Sequence, residues 1–284
     1  GNAGSSNCSY GAGSGWGNIT GGHKQGKNVI ATANLKSNDV LAGSSSRGPA
    51  HDGRIKPDIS AMGTSVYSTI SPNSYGVKTG TSMACPGVAG VMAQLWDAYK
   101  QNHNGSEPAG GLMKAILTNT ADDLGNPGPD YKHGYGRMNA LRAVKAIENN
   151  WFVPDTIANG QVDTVSILVP AGLGELRVML HWTDPEATVN AQRALVNDLN
   201  GLLVQDASSW LPWVLDPTPN SAALNGNATR AVDSLNNSEQ FTVLNPSGGQ
   251  YKLIVDASVA IGTQTYWVTY SFIEQAVELT YPIG

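Results

Sequence analysis

The period of the hydrophobic pattern changes near Trp151, and this change limits the possible folds more than any other feature of the sequence. Before it, short apolar strands alternate with segments in which apolar residues recur every three or four positions, as in α/β folds. After it, apolar and polar residues tend to alternate one by one between Pro, Gly and Asn turns. The pattern predicts an α/β domain over 1–149, an all-β sandwich or jelly roll over 150–276, and a linker toward a further domain over 277–284.

The individual elements follow from the same periodicities. NVIATANL (28–35) and SVYSTI (65–70) are typical of strands, and the SPNSYG that follows the second predicts a turn. Helices are predicted in GVAGVMAQLWDAYK (87–100), EPAGGLMKAILTNTAD (107–122) and GRMNALRAVKAIENN (136–150). Four segments beyond residue 150 predict strands: VDTVSILV (162–169), ELRVMLHWT (175–183), QYKLIVDAS (250–258) and QTYWVTYSFI (264–273).

Composition excludes several classes of protein. The net charge of −5 gives no basic surface for nucleic acid. No apolar run approaches the roughly 18 residues that a membrane span needs. The first residues lack the charged and apolar regions of a signal peptide, so we expect a chain that is mature, trimmed or a fragment.

Cys8 and Cys85 are the two cysteines of the chain. Two cysteines can form neither a disulfide framework nor an all-cysteine zinc site. We expect two small buried apolar residues, and a single disulfide of a secreted protein is the alternative.

A small serine opens the stretch GTSMACPGVAG (80–90). Ser82 could cap the helix that follows, since serine is a preferred N-cap residue. It could equally be a nucleophile, because the dipole and free amides of a helix N-terminus stabilise negative charge. The Gly-x-Ser-x-Gly elbow of α/β-hydrolases is excluded, since Ala84 stands where its second glycine belongs.

As a whole, this stretch closely resembles the nucleophile motif of the subtilisin-like serine peptidases, the subtilases, with Ser82 on the nucleophile. GNAG (1–4) resembles the turn whose asparagine supplies the oxyanion hole, and Asn2 falls on that asparagine. SSSRGPAHDGRIKPDISAMGTSVYSTI (44–70) and GYGRMNALRAV (134–144) are similar to other subtilase segments, so the resemblance covers 1–148. It implies that 1–149 is the C-terminal half of a peptidase domain with a partial parallel sheet, and that Gly1 and Thr81 bind substrate.

A nucleophilic serine needs a base and an orienting acid. In subtilases the Asp and His precede the oxyanion asparagine, so the resemblance implies that an N-terminal segment outside this chain supplies both. None of the histidines stands in the family's sequence context, and we expect surface or structural roles for His23, His51, His103, His133 and His181. The motif also departs from the family at Gly87, where a non-catalytic His is usual.

Residues 151–275 resemble the β-sandwich appended to some bacterial subtilases, a relative of the P domain of proprotein convertases. Some such domains bind calcium, and Asp184, Asp198 and Asp233 could be its ligands; ordinary turn carboxylates are the alternative. Trp210 and Trp213 could bind carbohydrate or plug a corner of the sandwich. The chemistry itself requires no cofactor.

The resemblance implies the C-terminal portion of a serine endopeptidase that is secreted or at the cell surface and acts on proteins or peptides. Its expected partner is the N-terminal half of the same peptidase, from the same precursor or as a separate chain. A clipped fragment or degenerate homologue that acts as a structural or binding module is the alternative. Substrate specificity, calcium sites and oligomeric state stay open.

Overall fold

A computed structural model describes residues 1–259 and 261–275. The predicted linker at 277–284 lies outside the described residues. Within them, no helix is both long enough and apolar enough to cross a bilayer.

The first part of the chain mixes helices with short strands. A parallel pair, β1 and β2, aligns Thr32 with Ile59, and an antiparallel hairpin follows it. The expected turn at SPNSYG is wrong beyond Asn73, because Ser74 begins the second hairpin strand. The elements are α1 (Gly22–Gln25), β1 (Thr32–Leu35), β2 (Ile59–Met62), β3 (Val66–Ile70), β4 (Ser74–Lys78), α2 (Thr81–Asn102), α3 (Gly110–Asn119) and α4 (Ala140–Glu148).

The second part is rich in antiparallel sheet. Two four-stranded sheets, ordered β12-β7-β14-β5 and β6-β13-β8-β9, enclose one apolar core. Each of the four predicted segments forms a strand. The elements are β5 (Phe152–Ala158), β6 (Val162–Val169), β7 (Leu173–Trp182), β8 (Asp198–Gln205), β9 (Ser208–Trp210), β10 (Trp213–Val214), α5 (Ser221–Leu224), β11 (Thr229–Arg230), β12 (Ser238–Leu244), β13 (Gly249–Ser258) and β14 (Thr263–Glu274).

Helix α2 uses its predicted apolar stripe to reach the core of the first part. Val88 and Leu95 are buried, and Met92 and Tyr99 are partly buried against the same cluster. The helix packs on β1, β2 and α4, so its N-terminus is held next to the parallel pair.

Helix α3 joins the two parts because both of its sides are covered. Every residue from Leu112 to Asn119 is buried, and the helix packs on β7 and β14 as well as on α2 and α4. The Nδ2 of Asn119 donates to the carbonyl of Thr269 at 3.1 Å, and Arg177 donates to the carbonyl of Ala121. The outer face of β7 is therefore buried too, and its residues do not alternate as the sequence pattern predicts.

Candidate active site

Helix α2 begins beside the first residues of the chain, and two glycines permit this approach. Gly80, its N-cap residue, has φ +153°, and a Cβ there would lie 3.1 Å from Nδ2 of Asn2. Behind it, a Cβ at Gly63 would lie 2.6 Å from the carbonyl oxygen of Gly80 and 2.7 Å from the nitrogen of Ala84. No side chain fits at Gly63 without moving the start of the helix.

The side chain of Asn2 is held against this helix start. Its Oδ1 accepts from the backbone nitrogen of Thr81 at 3.0 Å and from the Thr81 hydroxyl at 3.1 Å. Because Oδ1 is occupied in this way, Nδ2 is on the other branch of the amide, near Gly80, and makes no hydrogen bond with the described residues. Asn2 therefore presents a free N–H donor at the surface.

A second loop fixes the position of Asn2. The backbone nitrogen of Ser46 donates to the carbonyl of Gly1 at 2.8 Å, and its hydroxyl accepts from the nitrogen of Ala3 at 3.0 Å. The nitrogen of Gly4 donates to the carbonyl of Ser44 at 2.9 Å. These contacts tie 1–4 to 44–46, and Ser46 has a positioning role that the sequence did not single out.

Ser82 is the second residue of α2, and it is exposed. The helix has no side-chain cap, so the capping alternative is wrong and the Ser82 hydroxyl makes no hydrogen bond with the described residues. The nitrogen of Thr81 donates to Asn2 and that of Met83 to the carbonyl of Gly80, whereas that of Ser82 has no acceptor within residues 1–259 and 261–275. A free hydroxyl and a free amide thus share one residue at the positive end of a 22-residue helix.

A cleft of about 330 Å³ opens next to this serine. Gly1 and Thr81, predicted to bind substrate, line it together with Ser82, and Val29 and Ile30 give it an apolar wall. The cleft is large enough for a side chain of a peptide. The roles assigned to Ser82, Asn2, Gly1 and Thr81 stay predictions.

Two of the histidines are buried and the others lie near the surface. His23 is exposed and, with Lys24, lines the same cleft, yet it forms no hydrogen bond to Ser82 in the described part of the chain. His133 pairs with Asp130 at 3.1 Å. Burial, and then the Lys114 ammonium, lowers the pKa of His181 to about 3, so this histidine stays neutral.

The thiols of Cys8 and Cys85 are free. Cys85 is exposed and lines the cleft, while Cys8 is partly buried. The expectation of two buried apolar residues is wrong for Cys85, because its position on α2 faces the cleft and not the core. The alternative of a disulfide between the two is not seen either.

The three acidic residues considered for calcium differ in their hydrogen bonds. Asp184 accepts from the nitrogens of Val196 and Asn197, and Asp233 accepts from those of Leu235 and Asn236. Asp198 pairs through Oδ2 with Arg193, while its Oδ1 has no partner in the part of the chain that the structure describes.

Trp210 and Trp213 are both partly buried. The ring of Trp210 packs near Tyr251, with 5.9 Å between the ring centroids, and that of Trp213 lies under the guanidinium of Arg230. These contacts match the plug alternative better than a pair of exposed carbohydrate-binding rings.

Comparison with known proteins tests the resemblance of the first part of the chain to subtilases. Residues 1–136 match the family model described as "Subtilase family". The chain is 39% identical over 119 residues to the minor extracellular protease Vpr of Bacillus subtilis, a match that covers 38% of the chain and 14% of that protein. It is 38% identical over 98 residues to the C5a peptidase of Streptococcus pyogenes, with 34% of the chain and 8% of that protein covered. The resemblance to subtilases is thus confirmed.

A third relative extends the similarity into the second part of the chain. The serine protease/ABC transporter B family protein tagA of Dictyostelium discoideum is 26% identical over 260 residues, and the match covers 78% of the chain. Because the α/β part makes up only about half of the chain, this match must include residues of the second part. The chain spans 15% of this protein's length, so it matches only a small portion of each of these relatives.

Proposed function

We propose that this chain, whose residues 1–136 are a subtilase-family segment, is the nucleophile-bearing C-terminal portion of a secreted subtilisin-like serine endopeptidase. Its substrates are proteins or peptides. The chemical steps need no metal or cofactor in this proposal, since hydroxyl, amide and imidazole groups suffice.

In the proposed mechanism, the Oγ of Ser82 attacks a peptide carbonyl carbon while a histidine takes its proton. The carbonyl oxygen becomes an oxyanion, which receives hydrogen bonds from the amide of Ser82 and from Nδ2 of Asn2. The histidine returns the proton to the leaving amine, the C–N bond breaks, and water then hydrolyses the acyl-serine. The histidine, and the aspartate that orients it, belong to an N-terminal segment outside this chain.

One observation carries the proposal. Asn2 is hydrogen-bonded to Thr81, the residue before the exposed Ser82, and neither Nδ2 of Asn2 nor the backbone nitrogen of Ser82 has an acceptor among the described residues. Backbone and amide donors placed where an oxyanion forms are the main source of stabilisation in acyl transfer. A serine that only began a helix would not need a second loop anchored next to it.

The finer features of the fold fit the same proposal. In this proposal the parallel pair β1–β2 is part of a subtilisin-like doubly wound sheet, and the two four-stranded sheets of the second part are a P-domain-like jelly roll. Secretion is proposed because one of the similar proteins is named as extracellular.

An active-site probe tests the function. The protein is purified from its source with every segment it carries, treated with a fluorophosphonate and digested with trypsin. We expect the label at Ser82 in the peptide Thr79–Lys100, and its loss in Ser82→Ala. In Asn2→Ala we expect labelling to slow about 10- to 150-fold, since a hydrogen bond to a charged group contributes roughly 1.5–3 kcal/mol.

The second candidate is a non-catalytic structural or binding module. It is favoured by the side-chain hydrogen bonds of the described histidines, none of which involves Ser82. If the protein from its source, with an intact upstream segment, stays unlabelled while its thermal unfolding is cooperative, the module is the correct function.

A further inference from the structure

A cavity of about 350 Å³, the seam cavity, lies where the two parts of the chain meet. On one side it is lined by the loop 123–128 and by Tyr135 of the α/β part, and on the other by strands β7 and β12 with Trp213 and Arg230. None of its lining residues in the described part of the chain also lines the cleft beside Ser82. A volume of this size suits a small organic ligand.

The charged side chains that line the seam cavity are equal in number for the two signs. Among the described residues they are Arg177 and Arg230, and Asp123 and Glu175. The Nε of Arg177 pairs with Glu175 at 2.6 Å, so these two neutralise each other. Arg230 and Asp123 form no ion pair within residues 1–259 and 261–275. The seam cavity therefore contains one unpaired cation and one unpaired carboxylate.

The guanidinium of Arg230 is fixed in place by three acceptors and one aromatic ring. It donates to the carbonyl of Leu211 at 3.0 Å, and to the carbonyl and the hydroxyl of Thr242 at 2.6 Å and 3.0 Å. Its central carbon lies 3.5 Å from the centroid of the Trp213 ring, whose Nε1 donates to the same hydroxyl at 2.9 Å. Since a guanidinium has five N–H groups, at least two of them have no acceptor among the described residues.

The charge of Arg230 has lost water without being neutralised. Burial lowers its pKa to about 10, and no acidic group in the described part of the chain opposes this effect. A partly buried cation is stabilised when an anion accepts its free N–H groups. The planar fork of a guanidinium matches the two oxygens of a carboxylate. Arg230 is therefore suited to hold the carboxylate of a ligand.

Asp123 is placed on the other side of the Trp213 ring through Gly128. Its Oδ2 accepts from the nitrogen of Gly128 at 2.8 Å. Gly128 packs on the ring, since a Cβ there would lie 3.4 Å from three ring atoms. Because Gly128 and Arg230 are both in contact with the ring, they occupy opposite faces of it. The indole therefore separates the two charges, and a sugar could not stack on it, since both faces are covered.

We propose that the seam cavity binds a short peptide with free termini, whose carboxylate bonds to Arg230 and whose ammonium bonds to Asp123. A simple anion would meet Asp123 and Glu175, and a simple cation would meet Arg230, so neither is favoured. A free amino acid carries both charges on one carbon, whereas here the indole lies between the two sites. A peptide of two or three residues adds about 3.5 Å per residue between its termini. Pro127 and Leu244, which line the same cavity and are exposed, give its side chains apolar contacts.

Calorimetric titration with capped peptides tests the proposal. The full-length protein is used with the substitution Ser82→Ala, so that no peptide is cleaved, and the probe is the tripeptide Ala-Ala-Ala. We expect one molecule to bind per chain. Acetylation of the N-terminus or amidation of the C-terminus should each weaken binding about tenfold or more, because each removes a hydrogen bond between charged groups.

Two variants of this protein assign the ends of the peptide. Arg230→Gln should bind the free and the amidated tripeptide equally, and Asp123→Asn should bind the free and the acetylated tripeptide equally. Lys252→Gln and Asp206→Asn are the matched controls, since each removes an exposed charge of the same sign elsewhere in the β-rich part, and both should bind as the parent does. Thermal unfolding of each variant checks that it is folded.

The capped peptides require no variant in the seam cavity, so the test does not depend on the folding of Arg230→Gln. Absence of tripeptide binding at about 10 mM overturns the proposal. Equally tight binding of sodium acetate overturns it too, because the second charge then has no role. Binding that Arg230→Gln leaves unchanged also overturns it, because the peptide then lies elsewhere. Fluorophosphonate labelling of the protein that retains Ser82 is independent of all these results.

Discussion

Replacing Gly80 with alanine should disturb both the backbone and the proposed oxyanion site. Gly80 has φ +153°, a conformation that residues with a Cβ rarely adopt. The added methyl group would also lie 3.1 Å from Nδ2 and 3.5 Å from Oδ1 of Asn2. Because Asn2 is bonded to Thr81, it cannot retreat without stretching those two hydrogen bonds.

The magnitude follows from these two effects. Strain of a non-glycine residue in this region costs about 1–2 kcal/mol. A chain of this size has an unfolding entropy near 0.6 kcal/mol/K, so we expect the Tm to fall by roughly 2–4 °C. Fluorophosphonate labelling at Ser82 should slow by about tenfold or more, since the displaced amide no longer reaches the oxyanion.

Gly90 provides the matched control on the same helix. It is exposed, lies in the interior of α2, and would bring its Cβ within 4 Å of no other group. Alanine there should stabilise the protein by about 0.5–1 kcal/mol, because it favours the helix. Thermal unfolding followed by tryptophan fluorescence compares the two variants. A shift of the same sign in both would refute the assignment of strain to Gly80.

Two further predictions concern buried charge. Lys114→Met removes the ammonium that pairs with the buried carboxylate of Asp58 at 2.8 Å. Because this carboxylate loses a partner, the free energy of unfolding measured in urea should fall by about 3 kcal/mol. An unchanged free energy of unfolding would contradict this. Burial first, and then Lys114, lowers the pKa of His181 to about 3, so only the unfolded chain takes up this proton below pH 6.5. The stability that the neutral His181 contributes is therefore present above pH 6.5 and is lost as the pH falls toward 3. In this range, His181→Gln should reduce the slope of the unfolding free energy against pH by about 1.4 kcal/mol per pH unit. The same substitution at the exposed His51 should leave this slope unchanged.

Elements with one buried face could be predicted from the sequence. The stripe on α2 and the alternation in β13, where Tyr251, Leu253 and Val255 are buried, both report a single buried face. Strand β4, the second strand of the hairpin, could not be predicted from the sequence, because it is exposed and rich in turn residues. Because α3 is buried on both sides, its sequence has no amphipathic pattern that would predict this burial. The sheet that covers one side lies more than 50 residues further along the chain.

Only those residues of the candidate site that belong to a recognisable sequence motif could be predicted. The motifs single out Ser82 and Asn2, and the structure places both at the start of α2, while their roles stay predictions. Ser46 was missed, because a serine that anchors a loop through one hydroxyl looks like any other turn serine.

The second part of the chain contacts the segment that leads into one wall of the cleft. Lys27 pairs with Asp184, and the Nδ2 of Asn28 donates to the carbonyl of the same aspartate at 3.0 Å. The next residue, Val29, lines the cleft, and its carbonyl accepts from the buried ammonium of Lys56 at 2.8 Å. One wall of the cleft is thus fixed on one side by the β-rich part and on the other by the α/β part. Since misplacement of a substrate by about 1 Å can cost 100-fold in rate, the β-rich part contributes to the geometry of the proposed substrate site through Lys27 and Asn28, although the residues that line the cleft all lie in the α/β part.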